Sequence, residues 1–475
     1  MLNLKKMTNV HLVGIGGINM SAVAKLLLRS GFTVTGSDVK QTEITDELAA
    51  KGVKINIGPH DERHVSADCQ LVVHTSAAPD DNPERVAAKN RHLPDLSNFE
   101  WLGEWFKDKK VVLVTGTHGK STTTGLLAAM CIQGGLDPTV IIGSKMPDWP
   151  DGNLRLGESD LVIIEGDEYA KHFLSFHAAA LIINNIELDH VDVFKDIDDM
   201  RHAFERLLRQ TKVGAIVVYN ADSDQAAKAV ESVKLHPINS LAFVKQQTQD
   251  QAYVMRAVYE YQREAGRTKI SLKHKEAVLD LESGLFGEYN VQNTVAAALM
   301  ARELGVADEA IMKAVRDFLG IWRRMELLGE RNGAPVYSDY GHHPTAVRSA
   351  LDGLREAFPD KRIVLGFQPH HKNRTKELFN DFVTCFDRAD VLVLCEIYDV
   401  AGRNAKEDED MNSKLLLQEI QKRETARPLV QIEYAPDPES AVSRTLAILQ
   451  PGDVGVVMGA GDIDEELRIQ LKNIK

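Results

Sequence analysis

The chain has 475 residues, 44% hydrophobic and 26% charged, with a formal net charge of −13. That length exceeds a single core and suggests about three domains, and the composition is ordinary for a globular protein. The acidic balance excludes a general nucleic-acid surface, although local loops and helix N-termini can still hold anionic substrates.

The N-terminal stretch lacks the apolar core and small-residue cleavage site of a signal peptide, and no apolar run reaches the roughly 18 residues of a membrane span. Strand and helix patterns alternate along the chain without fixed repeats, pointing to α/β domains with parallel sheets built from βαβ units. The apolar run 10–13 leads into a glycine-rich turn and a helical pattern over 20–29, with strands expected at 33–36 and 71–74. This block closes near 107–110. The second opens with VVLVTGTHGKSTTT at Val111 and has buried runs at 161–164 and 180–183. Short alternating segments over 241–281 suggest an added antiparallel sheet, and a helical run over 290–304 follows. The third block starts near Leu327, with strands at 335–338, 362–366, 391–395, 429–432 and 454–458. Three α/β domains are expected over 1–108, 109–326 and 327–475. The acidic run 407–410 reads as a solvated loop. Cys69, Cys131, Cys385 and Cys395 show neither CxxC pairing nor metal-ligand spacing, which fits a reducing cytoplasm.

After the strand 111–114 comes Gly116-Thr117-His118-Gly119-Lys120-Ser121. Glycines let the backbone curl so that successive N–H groups face phosphate oxygens, and the helix expected from Lys120 adds its positive end. Lys120 can reach the β/γ-phosphates of ATP, and the Ser121 hydroxyl can ligate Mg²⁺. Val114 stands where the GxxxxGK[ST] pattern has its first glycine, so this is a shorter GxxGKS variant. Magnesium needs further oxygen ligands. Glu165, Asp167 and Glu168 follow one buried strand, and Glu187, Asp189 and His190 follow another, at the carboxyl ends where α/β sheets bind ligands.

The first turn, Gly14-Ile-Gly16-Gly17-Ile-Asn19, has the look of a dinucleotide fingerprint whose third glycine is replaced by Asn19. Asp38, near the end of the second strand, could meet a ribose hydroxyl. Alone this suggests an NAD-dependent dehydrogenase, but UDP-sugars also carry a pyrophosphate. The second phosphate loop argues against the dehydrogenase.

Together these pieces resemble the Mur ligases. The first block carries HLVGIGGINMS at 11–21, GSD at 36–38 and HTSAAPDDNPE at 74–84. The second carries TGTHGKSTTT at 115–124, NLRLG at 153–157, EGDE at 165–168 and DHVD at 189–192. The third carries SDYGHHPT at 338–345, FQPHHKNRT at 367–375 and GAGDI at 459–463. The resemblance implies a Rossmann-like UDP-binding domain, a central P-loop ATPase-like domain and a C-terminal Rossmann-like domain that closes over ATP. It implies the alanine-adding branch, in which ATP drives amide formation between L-alanine and the lactyl carboxylate of UDP-N-acetylmuramate through an acyl phosphate, in peptidoglycan precursor synthesis. A murein-peptide recycling ligase on the same nucleotide sugar is the alternative within the family.

Residue roles follow from the same resemblance. Gly116, Thr117, His118, Gly119, Lys120, Ser121 and Thr122 would hold ATP's phosphates. Ser121 and Glu165 would bind one Mg²⁺, and His190 a second metal; Mn²⁺ could substitute. Asn290 and Asn293 would contact adenine, although helix capping is the plainer role for such an asparagine. Arg323 or Arg324, with Arg324 preferred, would meet the γ-phosphate, and Asp339 the ribose. Tyr340, His342 and His343 would face the reaction centre. The amino acid would be held by Tyr340, His342, His371 and Arg374, and the nucleotide sugar by Gly14, Gly16, Gly17, Asn19, Met20, Ser21, Asp38, Ser76 and Ala77. Lys120, His190, Arg324 and His342 are the catalytic candidates. A monomer or weak homodimer in the cytoplasm is implied. Three positions depart from the family pattern. His371 stands where an Arg is usual, which leaves Gly and L-Ser open beside L-alanine. Tyr289 replaces a His, and Phe204 occupies the position where sister ligases carry a carbamylated lysine.

Overall fold

A computed structural model describes residues 4–190, 193–245, 256–398, 410–423 and 429–472. Residues 407–409 of the acidic run and Asp192 of the DHVD motif lie outside the described residues.

Three sheets follow one another along the chain. The first has five parallel strands in the order Lys54–Ile57, Thr33–Asp38, Asn9–Val13, Leu71–His74 and Asp95–Ser97. Its central strands are covered on both faces, which is why they read as continuous apolar runs without alternation. Helix Ile18–Arg29 begins directly after Gly17, two residues before the expected start.

The middle sheet has ten strands. Its parallel centre runs Ile216–Asn220, Ala180–Ile183, Lys110–Thr115, Leu161–Glu165, Thr139–Ile141. The alternating segments form the antiparallel strands Arg256–Glu264, Arg267–His274 and Ala277–Ser283. They are not a separate sheet. Asn239–Lys245 pairs in parallel with Ile216–Asn220 on one side and Arg256–Glu264 on the other, so the hairpins extend the central sheet. Helices Lys120–Gln133 and Glu288–Glu303 pack together on one face.

The third sheet runs Glu326–Arg331, Ala334–Asp339, Val454–Met458, Ile363–Phe367, Val391–Cys395, Gln431–Ala435, with only the first strand antiparallel.

The apolar cores differ in how they cross domains. One core joins the N-terminal domain to the middle sheet, with Phe99 and Trp101 packed among Phe173, Phe176 and Phe204. Phe204 meets Phe173 edge-to-face at 5.0 Å. The C-terminal sheet has cores of its own. Among the described residues no helix is long and apolar enough to cross a membrane.

Candidate active site

A cleft of about 1090 Å³ lies where the three domains meet, at the carboxyl ends of the parallel strands. Its floor is the phosphate loop. Strand Lys110–Thr115 ends in Gly116 at φ 132°, and Gly119, at φ 81°, starts helix Lys120–Gln133 from a left-handed conformation. A Cβ on Gly119 would lie 2.2 Å from Asn293 Oδ1, so glycine is required both by backbone and by space. The loop is braced from beside. Thr117 N donates to Asn185 O at 3.1 Å, His118 N to Asn185 Oδ1 at 2.8 Å, and Thr117 Oγ1 to Glu187 O at 2.9 Å. Thr122 is buried on the cleft wall.

Charge gathers at the loop's mouth. Lys120 Nζ donates to Gly116 O at 2.7 Å, Thr117 O at 3.1 Å and Glu168 Oε2 at 2.7 Å. Glu168 Oε1 lies 3.4 Å from His190 Nε2. Burial pushes Glu168 up, but Lys120 and His190 outweigh it and hold the carboxyl below its ordinary range. Burial and the neighbouring Glu168 raise Asp167 to about 6. His190 is pulled down by burial, yet Glu168 and Asp189 keep it above an ordinary histidine. It sits at φ 55°, a left-handed conformation of the kind found at functional sites. The ligand atoms of Asp167, Glu168 and His190 lie within 4.8 Å of one another. Nearby, Ser121 Oγ donates to Glu165 Oε1 at 2.8 Å, and Gly143 N donates to Glu165 Oε2 at 2.6 Å. Hydroxyl and carboxylate oxygens are the donors magnesium takes, so Ser121 with Glu165 fits a hard divalent cation, and Asp167 and Glu168 supply two such oxygens beside the His190 nitrogen. Asp167 and Glu168, expected from their place after a buried strand as candidate oxygen ligands for magnesium, line the cleft beside His190.

Farther along the cleft, helix Glu288–Glu303 is capped by Gly287, so Asn290 and Asn293 are not its caps. Asn290 Nδ2 donates to Phe286 O at 2.9 Å, and Asn293 Oδ1 accepts from Thr123 Oγ1 at 3.2 Å. Both line the cleft, as does Tyr289. Both arginines line the cleft, with Arg323 the more buried of the two. Arg323 is buried, donates to the carbonyls of Gly459 and Gly461, and lies 3.6 Å from Asp464. Arg324 lines the cleft with its guanidinium 5.0 Å from the Tyr340 ring centre. Asp339 also lines it, while its carboxylate accepts from Gly341 N at 2.7 Å and Met325 N at 2.8 Å, pinning the crossover into the C-terminal domain.

Opposite stands the FQPHHKNRT segment. Arg374 Nε and Nη2 both donate to Asp189 Oδ1, at 3.2 and 3.0 Å. His342 Nδ1 lies 3.1 Å from Tyr340 O, and its ring is 5.7 Å from that of His370. Burial, then Arg374 and His370, hold His342 well below the ordinary histidine range. His371 lines the cleft at φ 69°, at the start of helix Lys372–Glu377. A second gathering joins His118, Glu187 and His343. There, Thr345 N donates to His343 Nδ1 at 3.2 Å, which leaves the neutral ring's proton on Nε2 and suits a donor better than a metal ligand.

From the N-terminal domain Asn19, Ser76 and Ala77 reach the cleft beside Ile18 and Thr75. Gly14, Gly16, Gly17, Met20, Ser21 and Asp38 do not line it. Asp38 instead braces the turn itself, its Oδ2 accepting from Gly16 N at 2.8 Å. Met20 is in the apolar core, and Ser21 turns toward the middle domain.

Comparison with known proteins matches the three domains in their order. Family models match in chain order: the Mur ligase family catalytic domain over residues 9–110, the Mur ligase middle domain over 114–301, and the Mur ligase glutamate ligase domain over 323–461. The UDP-N-acetylmuramate–L-alanine ligase of Aquifex aeolicus is 35% identical over 99% of this chain and 98% of its own length. The enzyme of that name from Geobacter sulfurreducens is 36% identical over 96% of each. The crystal structure of UDP-N-acetylmuramate-alanine ligase MurC from Thermotoga maritima superposes with a TM-score of 0.81 at 26% identity, covering 98% of this chain and 99% of that one. With all three domains matched in order and relatives this similar along nearly the whole chain, the protein belongs to the Mur ligase family.

Proposed function

We propose that the chain is a cytoplasmic, ATP-dependent UDP-N-acetylmuramate–L-alanine ligase of peptidoglycan precursor synthesis. The observation that carries this is one cleft lined by Ile18, Asn19 and residues 75–77 of the N-terminal domain, the phosphate loop and the basic FQPHHKNRT segment. The names of the similar proteins favour L-alanine over a ready-made peptide. We assign the nucleotide sugar to 1–108, ATP to 109–326 and the amino acid to 327–475.

In the reaction the lactyl carboxylate oxygen attacks the γ-phosphorus, ADP leaves, and an acyl phosphate forms. The neutral amine of the amino acid then attacks the carbonyl carbon, the bond to the phosphate oxygen breaks so that inorganic phosphate leaves, and the amine's surplus proton passes to water or the departing phosphate as the amide forms. Such chemistry depends on positioning and charge neutralisation. Lys120 exchanges its carbonyl and Glu168 partners for phosphate oxygens, Arg324 meets the γ-phosphate, and Arg374 offers its remaining N–H groups to the amino-acid carboxylate. Ser121 with Glu165, and His190 with Glu168 and Asp167, would hold magnesium ions, which would screen the repulsion between carboxylate and triphosphate. Closure of the C-terminal domain excludes water from the acyl phosphate.

ADP release measured with UDP-N-acetylmuramate and a panel of amino acids tests the proposal. Release that requires the sugar and is fastest with L-alanine is expected; release indifferent to the sugar overturns it.

A further inference from the structure

We propose that Asn153 is a positioning residue that holds the nucleotide-sugar turn in register with the phosphate loop; this rests on the ligase reading above. Asn153 belongs to the middle domain and is 1% exposed, yet its side chain is spent entirely on the N-terminal domain. Its Nδ2 donates to Ile18 O at 2.5 Å and to Ser21 Oγ at 2.8 Å, in the first turn of the helix that follows the glycine turn. Its Oδ1 accepts from the buried Lys25 Nζ at 3.1 Å.

An amide has two donor hydrogens and a carbonyl acceptor, and here all three functions meet the neighbouring domain. The backbone of Asn153 faces the other way. Its carbonyl accepts from Ile142 N at 3.1 Å. The next residue, Gly143, donates to Glu165, which in turn accepts from Ser121 of the phosphate loop. An unbroken series of short bonds therefore runs from Ile18, on the sugar side of the cleft, to Ser121 on the ATP side. Ile18, Gly143, Glu165 and Ser121 all line the same cleft. Small displacements of a bound reactant cost large factors in rate, so a rigid tie at this point sets how the lactyl carboxylate meets the γ-phosphate.

A plain interface role is the alternative. Lys25 also bonds Asp151 O at 2.8 Å and pairs with Glu47 at 3.0 Å, while Lys51 and Arg29 reach Asp151 at 2.9 and 3.2 Å. The Asp151 contacts join the domains without touching the turn, and the Lys25–Glu47 pair stays within the N-terminal domain, so the two roles can be separated. Asn153→Asp keeps an acceptor for Lys25 but turns an oxygen toward the Ile18 carbonyl. Lys25→Met removes the interface cation and leaves both Nδ2 bonds.

Steady-state kinetics on the full chain, with binding of a non-hydrolysable ATP analogue measured alongside, tests the proposal. Asn153→Asp is expected to raise the KM for UDP-N-acetylmuramate about 10-fold or more while the analogue binds as in the wild type. Lys25→Met is expected to leave that KM unchanged. The proposal is overturned if Asn153→Asp leaves the sugar KM where it was, or if Lys25→Met raises it equally. Should Asn153→Asp fail to fold, as lost analogue binding would reveal, Ser21→Ala removes one Nδ2 acceptor and should raise the same KM; no rise overturns the proposal. Failure of the ligase reading itself would already appear in the wild type, as ADP release that ignores the sugar.

Discussion

Arg374 and Asp189, 185 residues apart in the chain, are joined across the cleft by two hydrogen bonds to a single carboxylate oxygen. Both side chains are about nine-tenths buried, at 10% and 7% exposure. The pair ties the C-terminal domain to the strand end that carries His190, and it aims the guanidinium at the cleft. Charge-assisted hydrogen bonds are each worth roughly 1.5–3 kcal/mol. Arg374→Ala should therefore raise the amino-acid KM by about 10- to 100-fold while ATP-analogue affinity stays near wild type. An unchanged amino-acid KM would take Arg374 out of the substrate site.

Lys120 is the cation that holds Glu168 in its charged form beside Asp167. In the proposed reaction it would neutralise the triphosphate. Lys120→Ala should lower turnover at least roughly 10²- to 10³-fold, the scale of removing one electrostatic stabiliser. UDP-N-acetylmuramate binding, followed by calorimetry, should persist. Loss of both activities together would mean that sugar and nucleotide do not occupy separate domains.

Gly119 offers a steric test of the loop. A methyl group there meets Asn293 Oδ1 at 2.2 Å and Asn184 Nδ2 at 2.9 Å, and a left-handed non-glycine residue costs about 1–2 kcal/mol by itself. Gly119→Ala should abolish ATP-analogue binding and lower the thermal midpoint modestly, with sugar binding retained. Normal ATP binding in this variant would remove the loop from the nucleotide site.

What the sequence reveals about this site is mostly what is local. The strand, loop and helix over 110–133 are contiguous, so their pattern carries its own context. The packing of Asn293 on Gly119 brings together residues far apart in the chain, and no spacing announces it. Asp38 shows the limit within one motif: a short acid near a glycine turn reads as a ribose partner, and its Oδ2 bond to Gly16 N, which braces the turn, is not announced by the motif. The alternation over 256–283 is readable as antiparallel strands, whereas their union with the central sheet depends on Asn239–Lys245 pairing on both edges. Asn153 is similar, because the first-domain helix that it grips is invisible from its own neighbourhood in the chain.

Acid sensitivity should come from buried histidines before carboxylates. His172 is stacked on Phe99 at 4.8 Å, and burial pulls it from 6.5 to about 4; burial, then His118, does the same to His343. In the unfolded chain each ring takes up its proton near 6.5, and in the folded protein only near 4. The unfolded state binds more protons across that window, so stability falls as pH drops through it. Glu84 runs with this trend at lower pH. Burial pushes it up, but hydrogen bonds from His11, Ser37, His64 and His60 bring it to about 2, and its contribution is lost as pH falls from 4.5 toward 2. Asp167 opposes the trend, because a carboxyl raised to about 6 takes its proton first in the folded state and gains stability on acidification. His342, held well below the ordinary histidine range, runs with His172 and His343, while His190, held above it, runs with Asp167. His172→Phe keeps the stack and removes one titrating ring, so thermal midpoints taken at about pH 7.5 and pH 5 should differ less in the variant than in the wild type. Equal losses in the two proteins would show that His172 is not among the groups that make the fold acid-sensitive.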